Sequence, residues 1–170
     1  TGSGALLLAV LANLPQARGV GIDRSTDALA VAIANAAALG LDDRCRMLRA
    51  DWHDENWAGQ LGGPFDLILA NPPYVEDDAP LTPDVRAYEP SGALFAGPHG
   101  LDDYRVLIPQ LPGLLSAGGV ALVEIGATQA DAVSGLAVAA GLDARLHRDL
   151  AGRPRVLELN FSLGKFSSSA

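Results

Sequence analysis

The sequence is poor in residues that form disulfides or hold metals. Cys45 is its only cysteine, and its three histidines, His53, His99 and His147, are scattered. A single cysteine excludes an internal disulfide framework and a cysteine-rich zinc site, and the histidines lack metal-ligand spacing. We therefore expect no metal centre, and a reducing, cytoplasmic environment is the default expectation.

Positive charge and long apolar runs are also scarce. The 170 residues contain 12 Lys+Arg against 20 Asp+Glu, which gives a formal net charge of -8. This charge disfavours a general DNA or RNA coat, although contact with nucleic acid through one local patch stays open. The apolar stretches, such as residues 5–12, are too short for a membrane span, which needs about 20 residues. We therefore expect one globular domain that does not enter a membrane.

The sequence does contain a regular alternation of strands and helices. Strands are predicted at residues 18–23, 44–50, 65–70 and 119–125, and helices at 26–39, 101–115 and 127–140. Two more predicted strands, 143–150 and 155–162, are joined by a loop short enough for an antiparallel hairpin. The alternation predicts an α/β fold with a doubly wound, mostly parallel, Rossmann-like sheet. The C-terminal hairpin is expected to add one antiparallel strand to its edge.

The first residues bear on domain organisation. Residues 1–4, Thr-Gly-Ser-Gly, run directly into a helix-forming segment, whereas such a turn normally follows a strand. We therefore expect a seven-stranded sheet whose first strand precedes Thr1, so that residues 1–164 are a domain truncated at its N-terminal side. The polar residues 165–170 are expected to be a disordered tail.

The glycine turn is the first candidate binding element. Gly2 and Gly4 allow a tight turn and the close approach of a ligand, and the helix behind them presents free N–H groups. The pattern completes neither a P-loop nor the dinucleotide fingerprint, so taken alone it also fits a plain strand-to-helix turn. Asp23, about twenty residues further on at a strand end, is placed to accept hydrogen bonds from both hydroxyls of a ribose. Together the turn and Asp23 indicate a nucleoside-containing ligand.

Asp51 and Trp52 follow the next predicted strand. Asp51 is placed to reach an adenine amino group, and Trp52 is placed to pack on the face of a base. The alternatives are a capping or loop acid for Asp51 and a partly buried core aromatic for Trp52. Both interpretations stay open at this point.

The most specific element is Asn71-Pro72-Pro73-Tyr74, directly after the apolar strand 65–70. Its two prolines fix the backbone and remove two N–H donors, so the carbonyl groups there are presented as acceptors in a rigid geometry. The Asn71 side-chain oxygen beside such a carbonyl suits the two hydrogens of a planar –NH2 group, whose lone pair then faces a methyl donor. Tyr74 is placed to stack on the flat group that carries the nitrogen. A plain turn is the alternative, which the position after a buried strand disfavours.

These motifs resemble those of class I S-adenosylmethionine-dependent methyltransferases, and most closely the HemK/PrmC family, the release-factor glutamine methyltransferases. Residues 1–4 match the end of that family's Asp-x-Gly-Thr-Gly-Ser-Gly motif, Asp23 its ribose acid, and residues 71–74 its signature. Further matches run along nearly the whole chain: Asp51-Trp52, Tyr88-Glu89-Pro90, Ala93-Leu94, Gly97, Gly100-Leu101-Asp102, Glu124-Ile125-Gly126 and residues 149–153. The chain departs from the family in lacking the Asp-x-Gly half of the first motif and the N-terminal helical domain.

The resemblance implies an activity and a set of site residues. It implies methyl transfer from S-adenosylmethionine to the side-chain nitrogen of the glutamine in the Gly-Gly-Gln loop of peptide-chain release factors, with no metal required. Asn71 and the Pro72 carbonyl would hold that amide as the catalytic residues, with Pro73, Tyr74 and Glu89 completing the acceptor site. The implied cofactor contacts are Thr1, Gly2, Gly4, Asp23, Asp51, Trp52 and Asn71. Glu124 and Arg153 are interpreted as residues that fix loops, and this is also the alternative interpretation of Glu89.

Three alternatives remain. The –NH2 group could belong to a nucleic-acid base such as adenine, flipped into the site, although the net charge of -8 and the lack of a target-recognition segment count against it. The acceptor could instead be a glutamine of a ribosomal protein. A nucleoside-binding module without catalysis is the alternative from another class, and the intact Asn-Pro-Pro-Tyr motif argues against it.

Overall fold

The computed structural model of the chain describes residues 1–77 and 95–162. The chain divides into two compact units, Thr1–Gly62 and Gly63–Ala170. The glycine turn, Asp23 and Asp51 belong to the first unit, and the Asn-Pro-Pro-Tyr segment (residues 71–74) belongs to the second. Each unit places its candidate residues at the carboxyl ends of parallel strands, as α/β sheets generally do.

The first unit alternates helices and strands. Its elements are α1 (Ala5–Asn13), β1 (Gly19–Asp23), α2 (Thr26–Ala38), β2 (Cys45–Arg49) and a 3-10 helix at Trp57–Gln60. Strands β1 and β2 are parallel, with Gly19 opposite Cys45 and Asp23 opposite Arg49. Helix α2 begins where predicted because the Ser25 hydroxyl accepts a hydrogen bond from the Ala28 N–H at 3.2 Å.

A small apolar cluster holds this unit together. Leu8 and Leu11 of α1 pack with Ala36 of α2 and with Leu41, and all four are buried. The spacing of Leu8 and Leu11 puts both side chains on one face of α1, which is the face that turns toward the sheet. The helix behind the glycine turn is therefore fixed by apolar packing.

Arg44 closes the far end of α1. Its guanidinium donates to the carbonyl oxygens of Leu11 at 2.8 Å, Leu14 at 3.0 Å, Ala17 at 3.2 Å and Pro15 at 3.3 Å. Leu11 lies in the last turn of α1, where the carbonyl groups have no partner within the helix, and the other three acceptors follow the helix. Arg44 therefore fastens the helix end to the loop behind it. The planar fork of arginine can serve several acceptors at once.

We expect Arg44→Met to lower the free energy of unfolding by about 2 kcal/mol, because it leaves these carbonyl groups without their charged donor. Urea denaturation followed by circular dichroism would measure the change. Arg145→Met, at an exposed position of a strand in the second unit, is the matched control and should have little effect. Equal losses in the two variants would contradict the role given to Arg44.

The second unit contains a four-stranded mixed sheet. Its elements are β3 (Phe65–Ala70), α3 (Asp102–Leu107), a 3-10 helix (Ile108–Gln110), α4 (Leu111–Leu114), β4 (Leu115–Glu124), α5 (Ala130–Ala139), β5 (Leu142–Arg148) and β6 (Pro154–Phe161). The strand order is β3-β4-β6-β5, with β3 parallel to β4 and with β6 antiparallel to both of its neighbours. The core includes Tyr104, Ile108, Val123, Val133 and Leu157, which are buried.

The predicted α/β fold with a C-terminal antiparallel hairpin is confirmed, and the six strands predicted within the sequence are all present. One detail is wrong: β6 lies between β4 and β5, so the antiparallel strand is inside the sheet and not at its edge. A short connection predicts that β5 and β6 pair, but it does not determine which of them lies beside β4. The seven-stranded sheet stays a prediction, since six strands lie within the described residues.

The region 101–125 also differs in detail from the prediction. The helix expected at about 101–115, which Pro109 and Pro112 are expected to kink or shorten, is two short helices with a 3-10 turn between them. Strand β4 begins at Leu115, four residues before the predicted start, because its pairing with β3 is irregular there. Helix α5 begins at Ala130, three residues later than predicted.

Across residues 1–77 and 95–162, the structure contains no helix that is both long and apolar enough to cross a membrane.

Candidate functional site

The glycine turn and Asp23 are joined by hydrogen bonds. The Gly2 N–H donates to Oδ2 of Asp23 at 2.8 Å, and the Thr1 amino group donates to the same oxygen at 3.0 Å. Oδ1 of Asp23 accepts from the Ser25 N–H at 2.9 Å. The carboxylate at the end of β1 thus fixes both the turn before α1 and the start of α2. Thr1, Gly2 and Asp23, predicted from their spacing, lie together.

The conformation of the turn requires glycine. Gly2 has φ +55° and Gly4 has φ +81°, which is the left-handed region that other residues rarely adopt. A Cβ atom built on Gly2 meets no heavy atom within 4 Å, so this position faces open space. Helix α1 starts directly after Gly4, and no side chain caps its first turn. The turn therefore offers free N–H groups beside an open region, which suits a polar ligand.

The Asp23 carboxylate is ionised at neutral pH. Burial raises its pKa, but hydrogen bonds from the backbone N–H groups of Ser25 and Gly2 and from the Thr1 amino group outweigh burial and leave the pKa below its usual value. The backbone N–H groups of Gly2 and Ser25 donate to this carboxylate, and its side chain is 19% exposed. The contact with both ribose hydroxyls stays a prediction.

Asp51 lies near the same edge of the first sheet. The Ala50 N–H donates to the Asp23 carbonyl oxygen at 3.1 Å, so the chain leaves β2 beside the end of β1. Oδ1 of Asp51 accepts from the His53 N–H at 3.0 Å and contacts His53 Nδ1 at 2.9 Å. Burial raises the pKa of Asp51, but these contacts and the charge of Arg24 leave it lowered.

The structure supports parts of both interpretations of residues 51 and 52. The Asp51 contacts with His53 form a local turn, as expected of a loop acid. Trp52 is half-buried, which agrees both with a core aromatic and with a surface for a base. The assignment of Asp51 and Trp52 to a cofactor site stays a prediction.

The Asn-Pro-Pro-Tyr segment follows β3 at the carboxyl edge of the second sheet. Ala70, the last residue of β3, pairs with Val123 of β4, so Asn71 lies beside Glu124. Pro72 is fully buried, whereas Asn71 is exposed. Within the described part of the chain the Asn71 amide makes no hydrogen bond. The buried proline anchors the segment and leaves Asn71 presented at the surface.

The Tyr74 side chain is tied to β4 and β6. Its hydroxyl donates to Oε1 of Glu124 at 3.4 Å and accepts from the Arg155 guanidinium at 3.5 Å. Arg155 also lies 3.7 Å from Oε1 of Glu124 and 3.8 Å from Oδ2 of Asp149. The interpretation of Glu124 as a loop-fixing residue agrees with these contacts. Arg153 fixes its own loop by pairing with Asp149 at 3.1 Å.

Tyr104 supports the same edge from inside the core. It is completely buried, and its hydroxyl donates to the Glu124 carbonyl oxygen at 2.8 Å. Burial raises the pKa of Tyr104, with smaller contributions from Tyr74 and Glu124, so the hydroxyl stays protonated and remains a donor.

Gln129, which the sequence does not single out, holds the backbone of the Asn-Pro-Pro-Tyr segment. Its side-chain amide donates to the Tyr74 carbonyl oxygen at 3.0 Å although it lies 55 residues further along the chain. No periodic pattern or motif marks this residue, and the one available signal is a polar residue just before a helix. The sequence does not single out Arg155 either, because no motif marks that residue.

The contacts described above do not bear on the prediction for Glu89 or on the expectation that no metal centre is present. Glu89 and the matches Tyr88-Glu89-Pro90 and Ala93-Leu94 lie outside the described residues. Among the residues that are described, no three His, Cys, Asp or Glu side chains come together in a way that could hold a metal ion.

Comparison with known proteins shows which family this chain resembles in sequence. A family model described as a methyltransferase domain matches residues 1–108. The release factor glutamine methyltransferase of Rhodospirillum rubrum is 47% identical over 160 residues, covering 92% of this chain and 48% of the relative. The corresponding Caulobacter vibrioides protein is 46% identical over 159 residues, with coverage of 92% and 54%. The chain thus spans about half the length of the curated relatives that it matches.

A solved structure supports the same fold. The crystal structure of a methyltransferase from Pyrococcus furiosus aligns with a TM-score of 0.68 and 13% identity, covering 95% of this chain and 72% of that one. The identity is low, so this similarity bears on the fold alone. This chain therefore belongs to the methyltransferase domain family, and its 46–47% identity to release factor glutamine methyltransferases confirms the resemblance to the HemK/PrmC family.

Proposed function

We propose that this protein transfers the methyl group of S-adenosylmethionine to the side-chain amide nitrogen of the glutamine in the Gly-Gly-Gln motif of peptide-chain release factors. The observation that carries the proposal is the Asn-Pro-Pro-Tyr segment, with Pro72 buried and Asn71 exposed at the end of β3. The names of the relatives, release factor glutamine methyltransferases at 46–47% identity, support this acceptor.

The first unit contains residues that fit the methyl donor. The open side of Gly2, the free N–H groups at the start of α1 and the ionised Asp23 suit the polar and ribose groups of a nucleoside. Asp51 and Trp52 follow β2 and are proposed to contact the adenine. When bound, S-adenosylmethionine supplies a methyl group activated by a positively charged sulfur.

The second unit contains residues that fit the acceptor. An amide nitrogen is a poor nucleophile because its lone pair is delocalised into the carbonyl group. The Asn71 side-chain oxygen and the Pro72 carbonyl oxygen would accept the two N–H hydrogens, which leaves the nitrogen lone pair free to attack a methyl donor. Because positive charge develops on the nitrogen as the new bond forms, these two acceptors stabilise the transition state more than the ground state.

Tyr74 and its neighbours complete the proposed acceptor site. Its hydroxyl contacts Glu124 and Arg155, which restrains the orientation of its ring. A fixed aromatic face suits the flat amide of glutamine. Pro73 keeps this part of the backbone rigid and carries no N–H that would compete for the acceptors.

The overall charge favours a protein acceptor over DNA. The net charge of -8 opposes the approach of a phosphate backbone, which binds proteins mainly through Lys and Arg.

Residues 1–164 are proposed to form the catalytic domain. A cytoplasmic location is proposed as well, since release factors act there on ribosomes.

An acceptor competition tests the proposal. The full-length protein is incubated with methyl-labelled S-adenosylmethionine and equal amounts of a release factor, a ribosomal protein with accessible glutamines and adenine-containing DNA. We expect label on the release factor, because the acceptors at Asn71 and Pro72 suit an amide and the negative charge repels DNA. Label found on DNA alone would contradict the proposal. Label on the ribosomal protein alone would also contradict it and would support a glutamine of a ribosomal protein as the methyl acceptor.

A further inference from the structure

The amide of Gln129 joins three separate parts of the second unit. Its Nε2 donates to the carbonyl oxygens of Tyr74 at 3.0 Å, Gly100 at 3.1 Å and His99 at 3.3 Å. Its Oε1 accepts from the Gly126 N–H at 3.0 Å. The residue is 8% exposed, so these bonds are shielded from water. Both ends of one buried amide are therefore used to connect the Asn-Pro-Pro-Tyr segment, residues 99–100 and the end of β4.

Glycine residues make this close arrangement possible. Gly100 has φ +61°, and a Cβ atom there would overlap the Tyr74 carbonyl oxygen. A Cβ atom on Gly126 would lie 2.7 Å from Oε1 of Gln129. At Gly100 the backbone lies closer to the Tyr74 carbonyl group than a residue with a Cβ atom allows, and the missing side chain of Gly126 leaves room for the end of the Gln129 side chain.

Two backbone hydrogen bonds continue the same connection. The Ala96 N–H donates to the Val75 carbonyl oxygen at 2.9 Å, and the Asp77 N–H donates to the Gly97 carbonyl oxygen at 3.2 Å. Residues 75–77 and 95–97 thus run side by side, and Gln129 fastens one end of this pair to the start of α5. Hydrogen–deuterium exchange at the Ala96 and Asp77 N–H groups can therefore report on the contact made by Gln129 without an activity measurement.

The position of the Tyr74 carbonyl group determines where the proposed acceptors lie. Pro72 and Pro73 have fixed φ angles, so the backbone from Asn71 to Tyr74 moves largely as one piece. A shift at Tyr74 is therefore passed on to the Pro72 carbonyl oxygen. Since a displacement of about 1 Å can reduce a reaction rate about 100-fold, the anchor at Tyr74 matters for catalysis without touching a substrate.

We propose that Gln129 is a positioning residue, which sets the place of the Asn71 and Pro72 acceptors by holding the Tyr74 carbonyl group. This inference rests on the proposed function, because it assigns the Asn-Pro-Pro-Tyr segment to the methyl acceptor. Gln129 contacts no substrate in this account and acts through the backbone.

The test uses two variants and a matched control in the full-length protein. Gln129→Glu keeps the shape and the acceptor for Gly126 but loses the donor, and Gln129→Met keeps the length but loses all four bonds. Gln110→Ala is the control, because Gln110 is also partly buried and its amide donates to Val106 within its own helical segment at 2.8 Å. Circular dichroism at the assay temperature measures the folded fraction, to which all rates are referred.

We expect both Gln129 variants to lower kcat for methyl transfer about 100-fold, with a small change in the affinity for S-adenosylmethionine. Hydrogen–deuterium exchange should become faster in the peptides that contain Asp77 and Ala96, and Gln110→Ala should change neither quantity. A purely stabilising role would lower the folded fraction and leave kcat of the folded protein unchanged, which would overturn the inference.

The failure of this inference and that of the proposed function are distinguishable. If the wild-type protein transfers no methyl group to a release factor, the proposed function fails, and exchange at Asp77 and Ala96 still decides whether Gln129 positions the segment. If the wild-type protein is active and Gln129→Glu is equally active, only the inference fails. Unchanged exchange in both Gln129 variants would overturn it in either case.

Discussion

Asn71→Ala is expected to reduce methyl transfer to a release factor by about 100- to 1,000-fold, which is the range for removing one group that stabilises a transition state. The variant removes one of two proposed acceptors and leaves the backbone of Pro72 in place. Asn71 is exposed, and within the described residues its amide makes no hydrogen bond that folding would lose. Initial rates with labelled S-adenosylmethionine would measure the effect.

The cofactor affinity of Asn71→Ala provides the internal check. We expect the Kd for S-adenosylmethionine to change little, since Asn71 is only one of the implied cofactor contacts and the proposed ribose and adenine contacts belong to the first unit. Asn13→Ala is a matched control, because Asn13 is an exposed asparagine whose amide donates to the Ala9 carbonyl oxygen of its own helix. An equal loss of rate and of cofactor affinity in Asn71→Ala would show that the residue has been given the wrong role.

Asp23→Ala is expected to weaken S-adenosylmethionine binding about 10- to 100-fold, as the loss of hydrogen bonds to a charged group implies. Two effects add. The ribose loses its ionised acceptor, and the N–H groups of Gly2 and Ser25 lose the carboxylate that holds the glycine turn and the start of α2. Isothermal titration calorimetry would measure the change in Kd.

Asp27→Ala is the matched control for Asp23. Asp27 is an exposed carboxylate in the first turn of α2, four residues away, so its removal changes the net charge equally. We expect it to leave the Kd almost unaffected. Equal weakening in the two variants would mean that general charge, and not the position of Asp23, determines cofactor affinity.

Local patterns in the sequence predicted much of the candidate site. Asp23 ends a strand at a fixed distance from the glycine turn, and its hydrogen bond to the Gly2 N–H agrees with that placement. The Asn-Pro-Pro-Tyr segment follows β3 as expected, because an apolar run that ends in two prolines cannot continue a strand. These are short-range features whose physical causes lie within a few neighbouring residues.

Long-range contacts explain what the sequence did not predict. The Nε2 atom of Gln129 has partners 29 to 55 residues away, and Arg155 reaches Tyr74 over 81 residues, so these contacts leave no local pattern. The start of β4 was predicted too late because its pairing with β3 shifts register between Phe65 and Leu67.

The most direct test of the account is to locate the methyl group within the modified release factor. Tandem mass spectrometry of the product is expected to place it on the side-chain amide of the glutamine in the Gly-Gly-Gln motif. A release factor with that glutamine changed to alanine should then gain no methyl group, while its other glutamines remain available. A methyl group on any other residue, or undiminished labelling of the alanine variant, would contradict the proposed function.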